Sequence, residues 1–186
     1  SGETTATASG LDAGSTSVTV TDVNGCFNTT SVTINEPAAL VTGVTLDADV
    51  SCDGVVDGSA TASASGGTTP YTFTWSNGET TATATALAAG TQTVTIEDAN
   101  GCDAIESIDI SQPPALAGSV DGTTPANCTS CDGTADISVN GGTAPYTFNW
   151  SNGETTATAT ALAAGTQTVT IEDANGCLGI ESIDIN

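Results

Sequence analysis

Apolar and polar residues alternate with a period of two along almost the whole chain, and no stretch carries the 3.6-residue period of an amphipathic helix. In residues 59–65, Ala60, Ala62 and Ala64 alternate with Ser and Thr. Tyr71, Phe73 and Trp75 then share one face of a strand, with Thr72 and Thr74 on the other. Val94 and Ile96 take the inward positions of a strand over residues 91–97, and Ile108 and Ile110 those of a strand over 102–110. Residues 40–49 and 81–86 complete a set of six. Between the strands stand turn signals: Gly66-Gly67 with Pro70, Asn77-Gly78, the loop over residues 87–90, and Asp98-Ala99-Asn100-Gly101. Asn77-Gly78 is expected to close a tight hairpin, since both central positions tolerate positive φ. The pattern predicts an all-β fold, an antiparallel β-sandwich of immunoglobulin-like type. Tyr71, Phe73 and Trp75 form its core centre. A carbohydrate-stacking platform is the sharper alternative, but three aromatics on one face of a mid-domain strand are usually core.

The pattern repeats. Residues 75–102, WSNGETTATATALAAGTQTVTIEDANGC, recur unchanged as residues 150–177, and a weaker copy occupies residues 2–26. Tyr146, Phe148 and Trp150 are therefore the core aromatics of the later copy. The period of about 75 residues exceeds a solenoid rung and approaches a small domain, which predicts tandem sandwiches. Glu36-Pro37 and Gln112-Pro113-Pro114 separate a partial unit (1–36) from two complete ones (37–112 and 113–186). The partial unit lacks the aromatic segment. The chain thus reads as a window on a longer protein, with the missing half upstream. The strands of residues 1–36 lack sheet partners and are expected to pair with upstream residues or with a neighbouring copy. One problem follows from the strand count. Six strands in an up-down meander return the chain to the end where it started, whereas a rod needs the opposite end. Either a seventh strand lies within residues 40–56, or one connection crosses between sheets.

Composition narrows the function. The chain has no Lys, Arg or His against 22 acidic residues, a formal charge of −22. That excludes nucleic acid, which needs cations against phosphate, and electrostatic docking on anionic lipid. It fits a solvated, self-repelling surface that trypsin-like proteases cannot cut. Without His or Lys, Ser and Thr lack their usual activators, and Glu97 and Asp98 point to opposite faces of a strand end; the chain does not read as an enzyme. No apolar run is long enough to insert in a membrane. Three stretches match the glycosylation acceptor pattern, at Asn28, Asn127 and Asn149.

The core is thin in large side chains, so the six cysteines matter. Only one C-x-x-C is present, and no His, so disulfides fit better than zinc and imply an oxidising, extracellular setting. If the strand order is a meander, Cys52 and Cys102 meet at one end of the first complete sandwich. Their bridge would contribute roughly 4 kcal/mol in the chain-entropy model. The equivalent pair is Cys128 and Cys177, with Cys131 an extra; a Cys128–Cys131 bond that frees Cys177 is the alternative. Cys26 is left for a partner outside the window. No cofactor is required. Ca²⁺ is the one metal considered: Asp53, Asp57, Asp98 and Asn100 would converge if the Cys52–Cys102 bridge brings both loops together. Ordinary turn chemistry is the competing reading.

The ordered set Gly66-Gly67, Pro70-Tyr71, Trp75-Ser76-Asn77-Gly78, Thr80-Thr81, Ala89-Gly90 and Asp98-Ala99-Asn100-Gly101-Cys102 resembles the SprB repeat of very large cell-surface adhesins of gliding bacteria. The set recurs from Gly141-Gly142 to Cys177. The family commonly has Tyr two residues after the Gly of the Ala-Gly turn; this chain has Thr16, Gln92 and Gln167 there, which removes a tyrosine-corner anchor. The resemblance implies export, surface display, and a filament or stalk acting in adhesion or motility. The partners it implies are neighbouring repeats, a homopolymeric filament by strand pairing, or a surface polysaccharide. A carbohydrate- or surface-binding module that recognises ligand with its end loops is the alternative function.

Overall fold

The period-two alternation folds as strands. The computed structural model describes residues 4–127 and 131–186, and every regular element there is a strand. A hairpin comes first, β1 (Gly14–Thr21) and β2 (Phe27–Ile34). Six strands follow: β3 (Val41–Ala48), β4 (Gly58–Ser65), β5 (Thr72–Trp75), β6 (Thr83–Leu87), β7 (Gly90–Glu97) and β8 (Asp103–Ile110). Six more repeat them: β9 (Ala117–Thr124), β10 (Gly133–Asn140), β11 (Thr147–Trp150), β12 (Thr158–Leu162), β13 (Gly165–Glu172) and β14 (Leu178–Ile185).

Each set of six builds two three-stranded antiparallel sheets, β3-β4-β6 with β5-β7-β8, then β9-β10-β12 with β11-β13-β14. The sheets pack face to face in the immunoglobulin-like manner. β3 lies over β8, where Thr42 donates to Glu106 Oε1 at 2.6 Å. In the first sandwich Ala60, Ala62, Ala84 and Leu87 of one sheet close on Trp75, Val94, Ile96 and Ile110 of the other. The second repeats this with Ala135, Ile137, Ala159 and Leu162 against Trp150, Val169, Ile171 and Ile185. The aromatic trio is graded in depth. Trp75 is 2% exposed, with its indole N–H donating to Thr81 O at 2.9 Å. Phe73 packs half-buried against the core, and the half-buried Tyr71 donates its hydroxyl to Gly66 O. Trp150, Phe148 and Tyr146 repeat the arrangement.

The direction of the strands answers the problem raised by the strand count. β5 and β6 do not pair with each other; they lie in different sheets. β4 runs antiparallel to β6, and β7 antiparallel to β5. β4 and β7 finish together, because Thr68 N, just past β4, donates to Asp98 Oδ2, just past β7, at 2.9 Å. β5 and β6 therefore run the same way, as two halves of one traverse that changes sheets midway. Five traverses replace six, and the chain leaves each sandwich at the end opposite its entrance.

The sheet change overturns the expected hairpin at Asn77-Gly78. The turn itself closes, with Gly78 N donating to Trp75 O and Trp75 N to Glu79 O, both at 2.9 Å, and with Gly78 alone at positive φ (89°), but no ladder follows it. The chain then departs to the other sheet. Glu79 holds the departure: its carboxylate accepts from Asn77 Nδ2 at 2.7 Å and from the amides of Thr85 and Ala86 in β6. Asn77 Nδ2, followed by those amides, holds the Glu79 carboxyl below its usual pKa against the opposing effect of desolvation. Gln92 supports the β6–β7 turn: it donates to Ala88 O at 3.0 Å and accepts from Ser76 Oγ.

Each sandwich holds one Trp, so each reports its own unfolding. Trp75→Ala should cost the first sandwich about 3–5 kcal/mol through the cavity it leaves. Denaturant titrations followed by Trp150 fluorescence should still show a cooperative transition for the second sandwich.

Candidate functional site at the junction of the two sandwiches

The first sandwich exits beside the β3–β4 loop, and the second begins beside its Gly-Gly turn and the β13–β14 turn. The junction is built from these four pieces. On the exit side, Val50 N donates to Ser111 O at 3.0 Å and Ser111 N to Asp49 Oδ1 at 2.7 Å. Gln112 donates to Asp53 Oδ1, so the linker lies bound on the loop it passes. Asp57 fixes the same loop; the Ser51 hydroxyl, then the Ser51 amide, hold its carboxyl below the usual range. On the far side, Gly142 N donates to Pro114 O at 2.8 Å. A Cβ on Gly141 would stand 2.0 Å from Ala115 O, so only glycine lets the linker pass there. Between the bound Gln112 and the bound Pro114 stands only Pro113, and the ring of each proline fixes its φ.

The receiving turn is centred on Asp173. Its Oδ1 accepts from the amides of Asn175 (2.8 Å) and Cys177 (2.9 Å), and its Oδ2 from Thr143 N (2.8 Å). Asp98 holds the same turn in the first sandwich, and Asp22 takes two of these bonds in the hairpin. Burial pushes the Asp173 carboxyl up, but the amides of Cys177, Thr143, Asn175 and Gly176 outweigh it, and the net shift is downward. The amides of Cys102, then Thr68, lower Asp98 likewise.

The turn takes the β3–β4 loop of the preceding sandwich. Asn175 Nδ2 donates to Ser51 O at 2.9 Å, and Cys52 is disulfide-bonded to Cys177 across 125 residues of sequence, with Cα atoms 5.7 Å apart. The bond flanks an open groove lined by Cys52, Asp53, Val55, Leu116, Cys177 and Leu178.

Neither predicted disulfide forms as expected. Cys52 is bonded to Cys177, not to Cys102, and Cys177 is thereby taken from Cys128. Cys102 is a free, exposed thiol, as are Cys26 and Cys131. Cys128 lies outside the described residues. The physical reason is the shared direction of β5 and β6: it places the Cys52 loop and the Cys102 turn at opposite ends of one sandwich. The same geometry places Asp53 and Asp57 at the opposite end of the sandwich from Asp98 and Asn100, so the convergence that the Ca²⁺ alternative depended on is not made. Among the described residues no group of three or more Asp, Glu or Cys is placed to hold a metal. Sequence reasoning missed Asp173 as the organiser of a receiving turn and Glu79 as a clamp. The available signal was their position inside the unchanged copy, Glu79 directly after an Asn-Gly and Asp173 two residues before one.

Among known proteins, the SprB repeat profile matches the chain twice, at residues 48–80 and 121–155. Each match starts late in the first strand of a sandwich and ends one residue past the carboxylate clamp at its sheet change. The chain is also similar in structure to the C-terminal 282-residue fragment of intimin, solved in complex with the intimin-binding domain of the translocated intimin receptor. The identity is 14%, the TM-score 0.39, and the match covers 80% of this chain and 64% of that one. A Dscam structure concerned with isoform specificity gives 10% identity, TM-score 0.34, and coverage of 88% and 51%. The chain thus spans less than two thirds of the length of either. No match was found among curated proteins.

The lowered carboxyls set a pH dependence. A group with a depressed folded pKa stabilises above its unfolded value, and that stability is lost as pH falls through the folded value. Repulsion among the 22 acidic residues relaxes in the opposite sense on acidification, so the comparison must be between variants. In denaturant titrations, Asp98→Asn should lower the first sandwich's midpoint at pH 7. The difference from the unaltered chain should shrink as the pH falls below about 4, the ordinary range of an Asp carboxyl.

Proposed function

We propose that this chain, with its two SprB repeat matches, is a structural and adhesive segment of a long extracellular filament or cell-surface adhesin. It acts as a stiff spacer and display surface in adhesion or gliding motility. The observation that carries this reading is the Cys52–Cys177 bond across a junction whose linker is bound at both ends. Disulfides persist in oxidising, extracellular settings. Exit opposite entrance makes successive sandwiches add length rather than fold back. Strands of eight residues give each sandwich roughly 26 Å before its loops. The acidic surface keeps neighbouring rods apart.

The bond also reroutes tension. A pull on the two ends travels through β3 to Cys52, crosses to Cys177 and leaves through β14. Residues 53–176 sit outside that covalent path and cannot be drawn out while the bond holds. A display stalk under drag gains a fixed upper length from this. The alternative role, ligand recognition by end loops, is weakened here because the loops at this junction are already engaged with each other.

Pulling single molecules by their termini tests the reading. The oxidised chain should reach a shorter contour length than the reduced chain, by about 400 Å for the 125-residue separation. Cys52→Ser should match the reduced chain. Equal contour lengths, or solution scattering from a folded-back pair of sandwiches, would remove the basis for a stalk.

A further inference from the structure

Six Asn-Gly dipeptides stand in the chain, at Asn24, Asn77, Asn100, Asn140, Asn152 and Asn175. Asn followed by Gly readily loses its side-chain amide, because glycine has no Cβ to hinder attack by its own main-chain nitrogen on the Asn Cγ. Five of the six are closed to that reaction by the same turn, in which the Gly amide donates to the carbonyl three residues back. Gly25 N donates to Asp22 O, Gly101 N to Asp98 O and Gly176 N to Asp173 O, each at 3.0 Å. Gly78 N donates to Trp75 O at 2.9 Å and Gly153 N to Trp150 O at 2.8 Å. A nitrogen whose proton is held this way can attack only while the turn is open. Four of these Asn side chains are tied as well: Asn77 to Glu79, Asn152 to Glu154, Asn100 to Thr68 and Asn175 to Ser51 O.

Asn140-Gly141 differs. Asn140 is the exposed last residue of β10, paired with Ala117 of β9. Among the described residues, none accepts from Gly141 N and none bonds the Asn140 side chain. The groups that follow are fixed: Gly141 O accepts from the Tyr146 hydroxyl at 2.7 Å, and Gly142 N donates to Pro114 O at 2.8 Å. The counterpart of Asn140 in the first sandwich is Ser65, which has no amide to lose.

We propose that Asn140 is a site of spontaneous deamidation that loosens the junction of the two sandwiches with age. Gly141 N gives up its proton to solvent and attacks Asn140 Cγ. The Cγ–Nδ2 bond breaks, ammonia leaves, and a succinimide ring closes. Water then opens the ring at either carbonyl, so the net change is water in and ammonia out. One opening gives Asp; the other gives isoaspartate, whose main chain runs through the side-chain carboxyl and is longer by one atom. Both products add a negative charge, but only isoaspartate lengthens the chain. The added atom falls where there is no slack, since a Cβ on Gly141 would already stand 2.0 Å from Ala115 O. Gly141 is pushed against the linker, the Gly142–Pro114 bond is released, and the Cys52–Cys177 bond is left to hold that side of the joint. None of this rests on the stalk reading, which the contour-length measurement tests separately.

The test incubates the oxidised chain in mildly alkaline buffer and maps the sites of amide loss by peptide mass. Asn140 should react roughly tenfold faster than any of the other five, whose Gly amides are free only through local opening. In denaturant the six rates should converge. Asn140→Ser, which copies Ser65, should remove the fast event from the folded chain. In the aged chain the Gly142 amide should exchange with solvent roughly tenfold faster than in the fresh chain. In Asn140→Asp, which has the charge without the added atom, it should exchange as in the fresh chain. Equal rates at all six sites in the folded chain would overturn the proposal, as would a lead for Asn140 that persists in denaturant. A Gly142 amide as protected after ageing as before, or as exposed in Asn140→Asp as in the aged chain, would overturn the loosening of the junction.

Discussion

Everything in this structure follows from the way residues 76–82 carry the chain from one sheet to the other without reversing its course. The carboxylate of Glu79 holds that transfer, accepting from the amides of Thr85 and Ala86 on the strand that pairs with β4. Glu154 does the same for Thr160 and Ala161. A chain that reversed there would make an ordinary hairpin and an even number of traverses. Its exit would lie beside its entrance, and tandem copies could not extend.

The odd number of traverses also decides the chemistry of the ends. It sends the Cys52 loop to the exit and the Asp98 turn to the entrance, so the cysteines within one sandwich cannot meet. They are left to face the next sandwich along, and the disulfide becomes a joint. The chain-entropy stabilisation of closing so long a separation, about 5 kcal/mol, belongs to the pair of sandwiches and not to either alone. Small alanine-rich cores are marginal by themselves, and a shared covalent joint makes neighbours resist unfolding together.

The junction is held mainly by backbone and side-chain hydrogen bonds and one disulfide. Two prolines, glycines that admit the linker, backbone bonds at both linker ends, and one asparagine reaching Ser51 fix the approach. The receiving turn is preformed by its aspartate before any partner arrives, because the same carboxylate bonds are present where Cys102 is free. The hairpin supplies the contrast: its turn at Asp22 is made, while its apolar face lies open.

The sequence by itself determined the strands, their inward faces and their turns. Those depend on neighbours within a few residues: alternation at Ala60-Ala62 and Val94-Ile96, an aromatic at Trp75, glycines where the backbone must bend. It also determined the repeat, since identical segments fold alike. The tertiary structure alone decided which way β6 runs, and with it the partner of Cys52 and the separation of Asp53 from Asp98. Asn77-Gly78 makes the same tight turn whether the next strand returns along β5 or crosses to β4. The choice between those outcomes is made by Ala84 and Leu87 pairing with Ala60 and Gly58 and by the core they close together, contacts with residues on β4 that the turn itself does not reach.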